Sequence, residues 1–357
     1  MSFAIHDEVS AARMVEEWDD LAEGLSQRVA TRPSYALAWN RVGRGRTAVC
    51  TIRRHGRLVG LAPVHARTRF GVTALRLPAH GLGTIGSFLA TDEAALGDLL
   101  DGIADRNMAL QLDHVDLTDP LLAMLRASPR WSVDVVATEQ CLTIDLATGQ
   151  GAESLRGRRT LKTLSRLERA LERAGTPATV EVVCEPDHLA QRWPDIVAVA
   201  AAADEHSGRD DFCAPPLASF SRPLLDAEAR AGRLLVVGLL VGGRWSAHEI
   251  MFRTGSTAEM WMARFHPDVR RFQPGQLLQR RLADRHDHLG VERFDYLFGT
   301  SEFKSQWANG GYRVGSVVAV PASRPHHRWT LRAADCAADL VRPLRTAALG
   351  ALTPGRS

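Results

Sequence analysis

Cysteine is scarce in this chain. Five occur in 357 residues, at positions 50, 141, 184, 213 and 336, and no two stand in C-x-x-C spacing. That pattern excludes a zinc knuckle and offers no disulfide framework, so the thiols read as inert core or surface groups. Long hydrophobic runs are missing as well. Leu234–Val241, eight residues, is among the longest, against the roughly 20 that a helix needs to cross a bilayer. The opening MSFAIHDEVSAARMVEEWDD is acidic and lacks the apolar centre of a signal peptide, so the expectation is a cytoplasmic protein. Neither sign of charge dominates: 44 Lys and Arg against 41 Asp and Glu give +3, too little to argue for a nucleic-acid protein. No G-x-x-x-x-G-K-[ST] occurs, which excludes a P-loop. The pairs His286/His288 and His326/His327 have no further ligands nearby in sequence, so no metal is expected.

What is present is an ordinary globular composition, 45 % apolar and 24 % charged, long enough for about two domains. The first half starts with a strand, FAIH, and an amphipathic helix over about Ala11–Gln27, followed by a helix carrying Tyr35 and Trp39. TAVCTIRRHGRLVGLAPVHART alternates apolar residues on both sides of His55-Gly56-Arg57 and reads as a hairpin. A Gly-rich strand and loop follows, then a helix capped at Thr91, then strands in LQLDHVDLT and CLTIDLA. In the second half Leu161, Leu164, Leu167 and Leu171 recur at helical spacing until Gly175 and Pro177. Helices over about Leu189–Ala203 and in PPLASFSRPLLDAEARAG precede three strands, with a turn at Gly242-Gly243-Arg244. A helix and strand come next, YRVGSVVAVPA is a last strand, and a helix with an Ala-rich tail closes the chain. VCTIRRHGRLVGLAPVHART and VVGLLVGGRWSAHEIMFRTG share one pattern 187 residues apart, which supports two copies of one α/β unit. The expected division is 1–150, 151–323 and a tail over 324–357.

Pro274-Gly275-Gln276 stands where a helix begins, after a strand and the loop HPDVRRFQ. The first turn of a helix has unpaired N–H groups and a partial positive charge, glycine permits close approach, and Arg270 and Arg271 can pair with phosphate oxygens. A plain capped helix start fits the same residues. His248 and Glu249 are adjacent on a strand, so at most one faces any cleft. Either can act as a base towards an amine; His248 is favoured, with Glu249 next. Asp295, inside the apolar run FDYLF, needs a partner if buried, and is a second candidate base or half of an ion pair.

Taken together, a hairpin turning on Gly-Arg, a third strand, PGQLL, a helix and then FDYLFGTSEFKSQW resemble the GNAT acyltransferases. More narrowly they look like the CelD-type acetyltransferases named for cellulose biosynthesis. The residues that carry the likeness are the Arg-rich helix Arg158–Arg173, Pro274–Leu278, Asp295, Gly299 and Lys304-Ser305-Gln306-Trp307. SYALAW and the HGRLVGLAPV hairpin extend it over about residues 1–320. The resemblance implies an α/β (α+β) fold of tandem GNAT-like units, as in FemABX proteins, each a mixed, mostly antiparallel sheet flanked by helices. It implies an acyl-donor site in the second unit, held by Arg270, Arg271, Phe272, Gln273, Pro274, Gly275, Gln276 and Leu277. It also implies that Lys304, after Phe303, stabilises the acyl oxygen. The strict phosphate signature, Gln/Arg-x-x-Gly-x-Gly/Ala, is met only in part, since Gly275 falls five positions after Arg270.

The basic residues Arg158, Arg159 and Lys162 suit an anionic part of a ligand, such as a CoA 3′-phosphate, an anionic glycan or a tRNA end. His206 is placed near the acceptor. The reading is direct transfer of an acetyl or similar group from acetyl-CoA or another acyl-CoA to an amine of a saccharide precursor or peptide-like metabolite. No serine or cysteine lies in a motif for a covalent intermediate. Two alternatives stand beside it: aminoacyl-tRNA as donor, the one nucleic acid expected as a partner, and a non-catalytic binding protein.

Overall fold

The structure, a computed structural model, describes residues 1–25, 28–42, 46–80, 82, 85–207 and 211–333. The first half runs β1 (Ser2–His6), α1 (Glu8–Ala12), α2 (Val15–Leu25), α3 (Pro33–Asn40), β2 (Arg46–Thr47), β3 (Val49–Arg54), β4 (Arg57–Ala62), β5 (His65–Arg69), β6 (Val72–Arg76), β7 (Leu89–Ala90), α4 (Glu93–Asp105), β8 (Ala109–Asp116), α5 (Pro120–Ala127) and β9 (Trp131–Asp145). The second runs α6 (Ala152–Leu155), α7 (Arg158–Arg173), β10 (Ala178–Val183), α8 (Pro186–Ser207), α9 (Ala218–Arg230), β11 (Leu234–Val241), β12 (Arg244–Thr254), β13 (Thr257–Phe265), α10 (Pro274–Asp284), α11 (His286–Leu289), β14 (Arg293–Asp295), α12 (Glu302–Trp307) and β15 (Gly310–Pro321).

Local sequence accounts for most of these bounds. His55 and Gly56 take positive φ in the β3–β4 turn, and Gly242 and Gly243 do so between β11 and β12. The leucines of α7 turn inward, and Gly175, at φ +71, follows its end. Some expectations are corrected. The helix expected over Ala11–Gln27 is broken between α1 and α2, where the Arg13 N–H bonds Ser10 O and the Met14 N–H bonds Ala11 O in tight three-residue turns; Gln27 lies outside the described residues. The cap of α4 is Asp92, which accepts from Ala95 N at 2.6 Å, and not Thr91. The β5–β6 hairpin and α5 add to the expected elements: Asp119-Pro120 caps and starts α5. Beyond residue 323, residues 327–333 are helical; the rest of the expected tail, with Cys336, lies outside the described residues.

A small sheet has the order β1-β3-β4-β7, and a second of eleven strands runs β10-β11-β12-β13-β14-β9-β15-β8-β6-β5-β2. The α/β architecture with a large mixed sheet agrees with the reading from sequence. One arrangement occurs twice: β6, α4, β8, α5, β9 and β13, α10, β14, α12, β15. In each, the first two strands pair in parallel and a helix crosses between them. The closing strands are exchanged. β9 pairs with β14 of the second set, β15 pairs with β8 of the first, and β9 and β15 pair with each other over twelve residues. The sheet thus crosses the division expected at residue 150.

The second half has a core on each sheet face. Ile250, Phe252 and Met262 pack with Phe220 and Leu224 of α9 and Val199 of α8, joined by Tyr35 and Trp39 of α3. Ala247, Met251 and Met260 pack on the other face with Leu164 and Leu171 of α7 and Leu277, Leu278 and Leu282 of α10. Strand alternation therefore gives β12 one face towards α8 and α9 and another towards α7 and α10.

Gly238 of β11 has no room for a side chain, because an added Cβ would overlap the Trp245 ring. Gly238→Ala is expected to cost about 1–3 kcal/mol by overpacking, seen as a lower thermal midpoint. An unchanged midpoint would contradict this packing.

Candidate functional site

β13 and β14 pair only from Thr257↔Arg293 to Glu259↔Asp295. Past that point β13 continues to Phe265, while the other chain leaves the sheet through Leu297, at φ 57. The strands part, and a cavity of about 700 Å³ lies at the gap. Glu249 and His248 of β12, Met260 and Arg264 of β13, Gly275 and Gln279 of α10, Tyr296 and Lys304 are among its lining residues.

The fork of the gap is pinned by charge. Glu259 and Asp295 are neighbours on adjacent strands, both almost fully buried. Arg28, from the first half, reaches Glu259 Oε1 at 3.3 Å and Asp295 Oδ2 at 2.6 Å, and its guanidinium lies 5.0 Å from the centre of the Tyr312 ring. Val29 N donates to Glu259 Oε2 and Tyr312 Oη to Asp295 Oδ2, both at 2.7 Å. Burial still raises Glu259 to about 7 against the pull of Arg28. The other Asp295 oxygen accepts from Leu297 N at 2.8 Å and so sets the turn that opens the gap. Asp295 sits in this ion-pair network, on the sheet face opposite Tyr296.

At one lip is the start of α10. Gln273 is left-handed, its side chain makes no capping bond, and Pro274 begins the helix. First-turn amides have no intrahelical acceptor. Gly275 has no side chain, and a Cβ there would sit in ordinary contact with the Phe303 ring, at 3.7 Å. α4, the counterpart in the first unit, has its amides capped by Asp92. Of the other residues expected to hold the donor, Arg270 and Arg271 are exposed, Arg270 3.4 Å from His206 and Arg271 stacked on Phe272. The side chains of Phe272 and Leu277 pack into the core. Gln276 accepts from Trp307 Nε1 at 2.7 Å and donates to Gln306 at 3.2 Å.

The polar groups inside the cavity differ in what they can do. His248 is fully buried, and burial, then Arg264, lowers it to about 3. Its Nδ1 accepts from Trp245 Nε1 at 3.3 Å, which puts the ring proton of the neutral form on Nε2. Glu249, on the face towards α10, is raised to about 8 by burial, against Lys304 and Arg264. Tyr296 was not anticipated. Its Oη is buried with no hydrogen-bond partner, and burial, then Glu249, holds the phenol well above its usual range. Alternation along FDYLF could have found it: if Asp295 faces away, Tyr296 faces the cleft. Lys304 Nζ donates to the carbonyls of Tyr296, Phe298 and Gly299 at 3.0, 2.9 and 3.2 Å, tying down the wall that follows β14.

His206, at the end of α8, lines the cavity. Arg158, Arg159 and Lys162 do not; they are exposed on α7. No group of three or more potential metal ligands occurs among the described residues, nor does a helix long and apolar enough to cross a membrane.

The family profile of an acetyltransferase (GNAT) domain matches residues 158–305, from α7 into α12. No curated protein matches the chain in sequence. Solved structures share its architecture at low identity. FemX is 12 % identical at a TM-score of 0.64, covering 92 % of this chain and 99 % of that one. The C-terminal domain of a putative lysylphosphatidylglycerol synthetase from Agrobacterium fabrum is 15 % identical at 0.58, covering 92 % and 97 %. L-PGS from Bacillus licheniformis is 12 % identical at 0.56, covering 88 % and 94 %. Residues 158–305 thus carry an acyltransferase domain of GNAT type, and the gap lies within it.

A carboxyl raised by burial holds a proton that the unfolded chain has already released. Stability therefore falls as pH rises from about 4.5 towards about 8, and then levels off. Glu249→Gln removes that loss, so the variant should gain in thermal midpoint over the parent between pH 5 and pH 8. A difference that does not change with pH would show that Glu249 is not buried in this way.

Proposed function

We propose that the chain is an acyl-CoA-dependent N-acyltransferase, of the CelD type that its motifs resemble, which moves an acetyl or similar group directly to the amine of a small acceptor. Peptide-like metabolites and saccharide precursors are the acceptor classes. The observation that carries this reading is the presence of both Glu249 and Tyr296 in a gap whose lip is the uncapped start of α10. A diphosphate suits the α10 amides, with Arg270 and Arg271 beside them. The missing side chain at Gly275 and the lack of a side-chain cap fit that group.

Within the gap, Glu249 in its ionised form takes a proton from the attacking ammonium or amine. Its value near 8 matches that task at neutral to mildly alkaline pH. As the C–N bond forms and the C–S bond breaks, the departing thiolate takes the Tyr296 Oη proton. Lys304 acts by holding the carbonyls of Tyr296, Phe298 and Gly299, which places that phenol. His248, with its proton on Nε2, serves as a neutral donor to a carbonyl and not as the base.

The aminoacyl-tRNA reading has one feature in its favour. Arg158, Lys162, Arg166, Arg169 and Arg173 stand along one face of α7, all exposed. Ribonuclease treatment separates the two: CoA-dependent transfer survives it and tRNA-dependent transfer does not.

Two outcomes test the site. Thiol release from acetyl-CoA should rise with pH through about 8, and Glu249→Gln should lower kcat by about 10²–10⁴. Undiminished turnover in that variant would remove Glu249 from the chemistry. Gly275→Val crowds the α10 amides and should weaken CoA binding about tenfold or more in calorimetry, the loss of one charge-assisted hydrogen bond. Unaltered affinity would take the start of α10 out of the donor site.

A further inference from the structure

A second cavity, of about 150 Å³, lies beside the first. Trp261, Leu297 and Phe298 line both. It is on the other side of the sheet, towards α3, because Glu259 at its edge faces away from α10. The first half supplies much of its wall: Val29, Ala30, Tyr35 and Ile85. Phe212 closes it from the second half. Glu259 is the one carboxylate in the lining, and its oxygens are taken by Arg28 and Val29 N. What remains for a ligand is largely carbon.

Resting on the acyl-transfer reading, we infer that this cavity is the acceptor's specificity pocket, and that it takes a compact apolar group carried by the amine: one aromatic ring or a branched aliphatic chain. The donor enters by the α10 lip and fills the larger cavity, so the nucleophile comes through the gap from the opposite face. Its substituent then lies among Val29, Ala30, Ile85 and Phe212. Size allows this, since an apolar cavity of about 150 Å³ is known to stay dry and take up benzene. A sugar ring of similar size would bury several hydroxyls against carbon, and each would lose its hydrogen bonds to water. Among the acceptor classes above, this favours peptide-like and other apolar amines over saccharides. Phe298, 38 % exposed at the shared wall, is an apolar surface that such a group would cover.

The test uses the full chain without donor and reads binding by ligand-observed NMR, with benzylamine and glucosamine as probes. Benzylamine should bind at least tenfold more tightly than glucosamine. Ala30→Leu, which fills the cavity, should weaken benzylamine at least tenfold, and Arg57→Ala, exposed at the start of β4 and lining neither cavity, should not. Phe212→Ala, at a half-buried position, should admit 1-naphthylmethylamine, which the parent excludes. Equal binding of the two probes overturns the inference, as does full benzylamine affinity in Ala30→Leu together with exclusion of the naphthyl amine by Phe212→Ala. Thiol release from acetyl-CoA with benzylamine is measured separately. Its absence while benzylamine binds at the pocket sinks the acyl-CoA reading and leaves the pocket standing.

Discussion

Two carboxylates held side by side inside a protein repel one another, and the site exists because a cation from elsewhere in the chain makes that arrangement tolerable. Glu259 and Asp295 close the last rung of the β13–β14 ladder, and Arg28 sits against both. A buried pair stripped of its partner charge is strongly unfavourable, so the guanidinium and the fork are interdependent. Asp295 hands the constraint on, since its second oxygen fixes Leu297. Lys304 continues it by gathering three carbonyls of the next turns. The gap is thus a built feature, with a defined apex and one pinned wall.

The same strand–helix–strand arrangement occurs twice, and the start of its crossing helix differs between the two copies. In the first unit Asp92 caps the crossing helix by accepting from Ala95 N, and Leu99 and Ile103 of that helix pack in the core with Leu77. In the second, the helix starts from a left-handed Gln273 with no capping side chain and faces a large cavity. The first unit contributes in another way, through Arg28 at the fork and the wall of the smaller cavity.

Local signals in the sequence were read well where one short stretch decides the conformation. The His55-Gly56 and Gly242-Gly243 turns, the leucine spacing of α7 and the start of α10 at Pro274 are of this kind. Alternation led to the expectation that at most one of His248 and Glu249 faces a cleft, yet both border the cavity; applied to Asp295 and Tyr296, the same rule points to the phenol. What could not be read was long-range. Arg28 meets Asp295 across 267 positions, and nothing in its own neighbourhood marks it. The outlets of Lys304 are carbonyls, whose positions depend on a turn three-dimensional in origin. The exposed face of α7 looked, from spacing alone, as near to the ligand as His206, yet only His206 borders the cavity.

The exchange of closing strands has a consequence for how the chain is made. β15 is threaded between β8 and β9, yet some 165 residues separate the end of β9 from its start. During synthesis the amino-terminal unit must wait with three strand edges unsatisfied, one of β8 and both of β9, until the far end of the other unit has emerged from the ribosome. Neither unit can be completed alone, so maturation of the chain is a single late event.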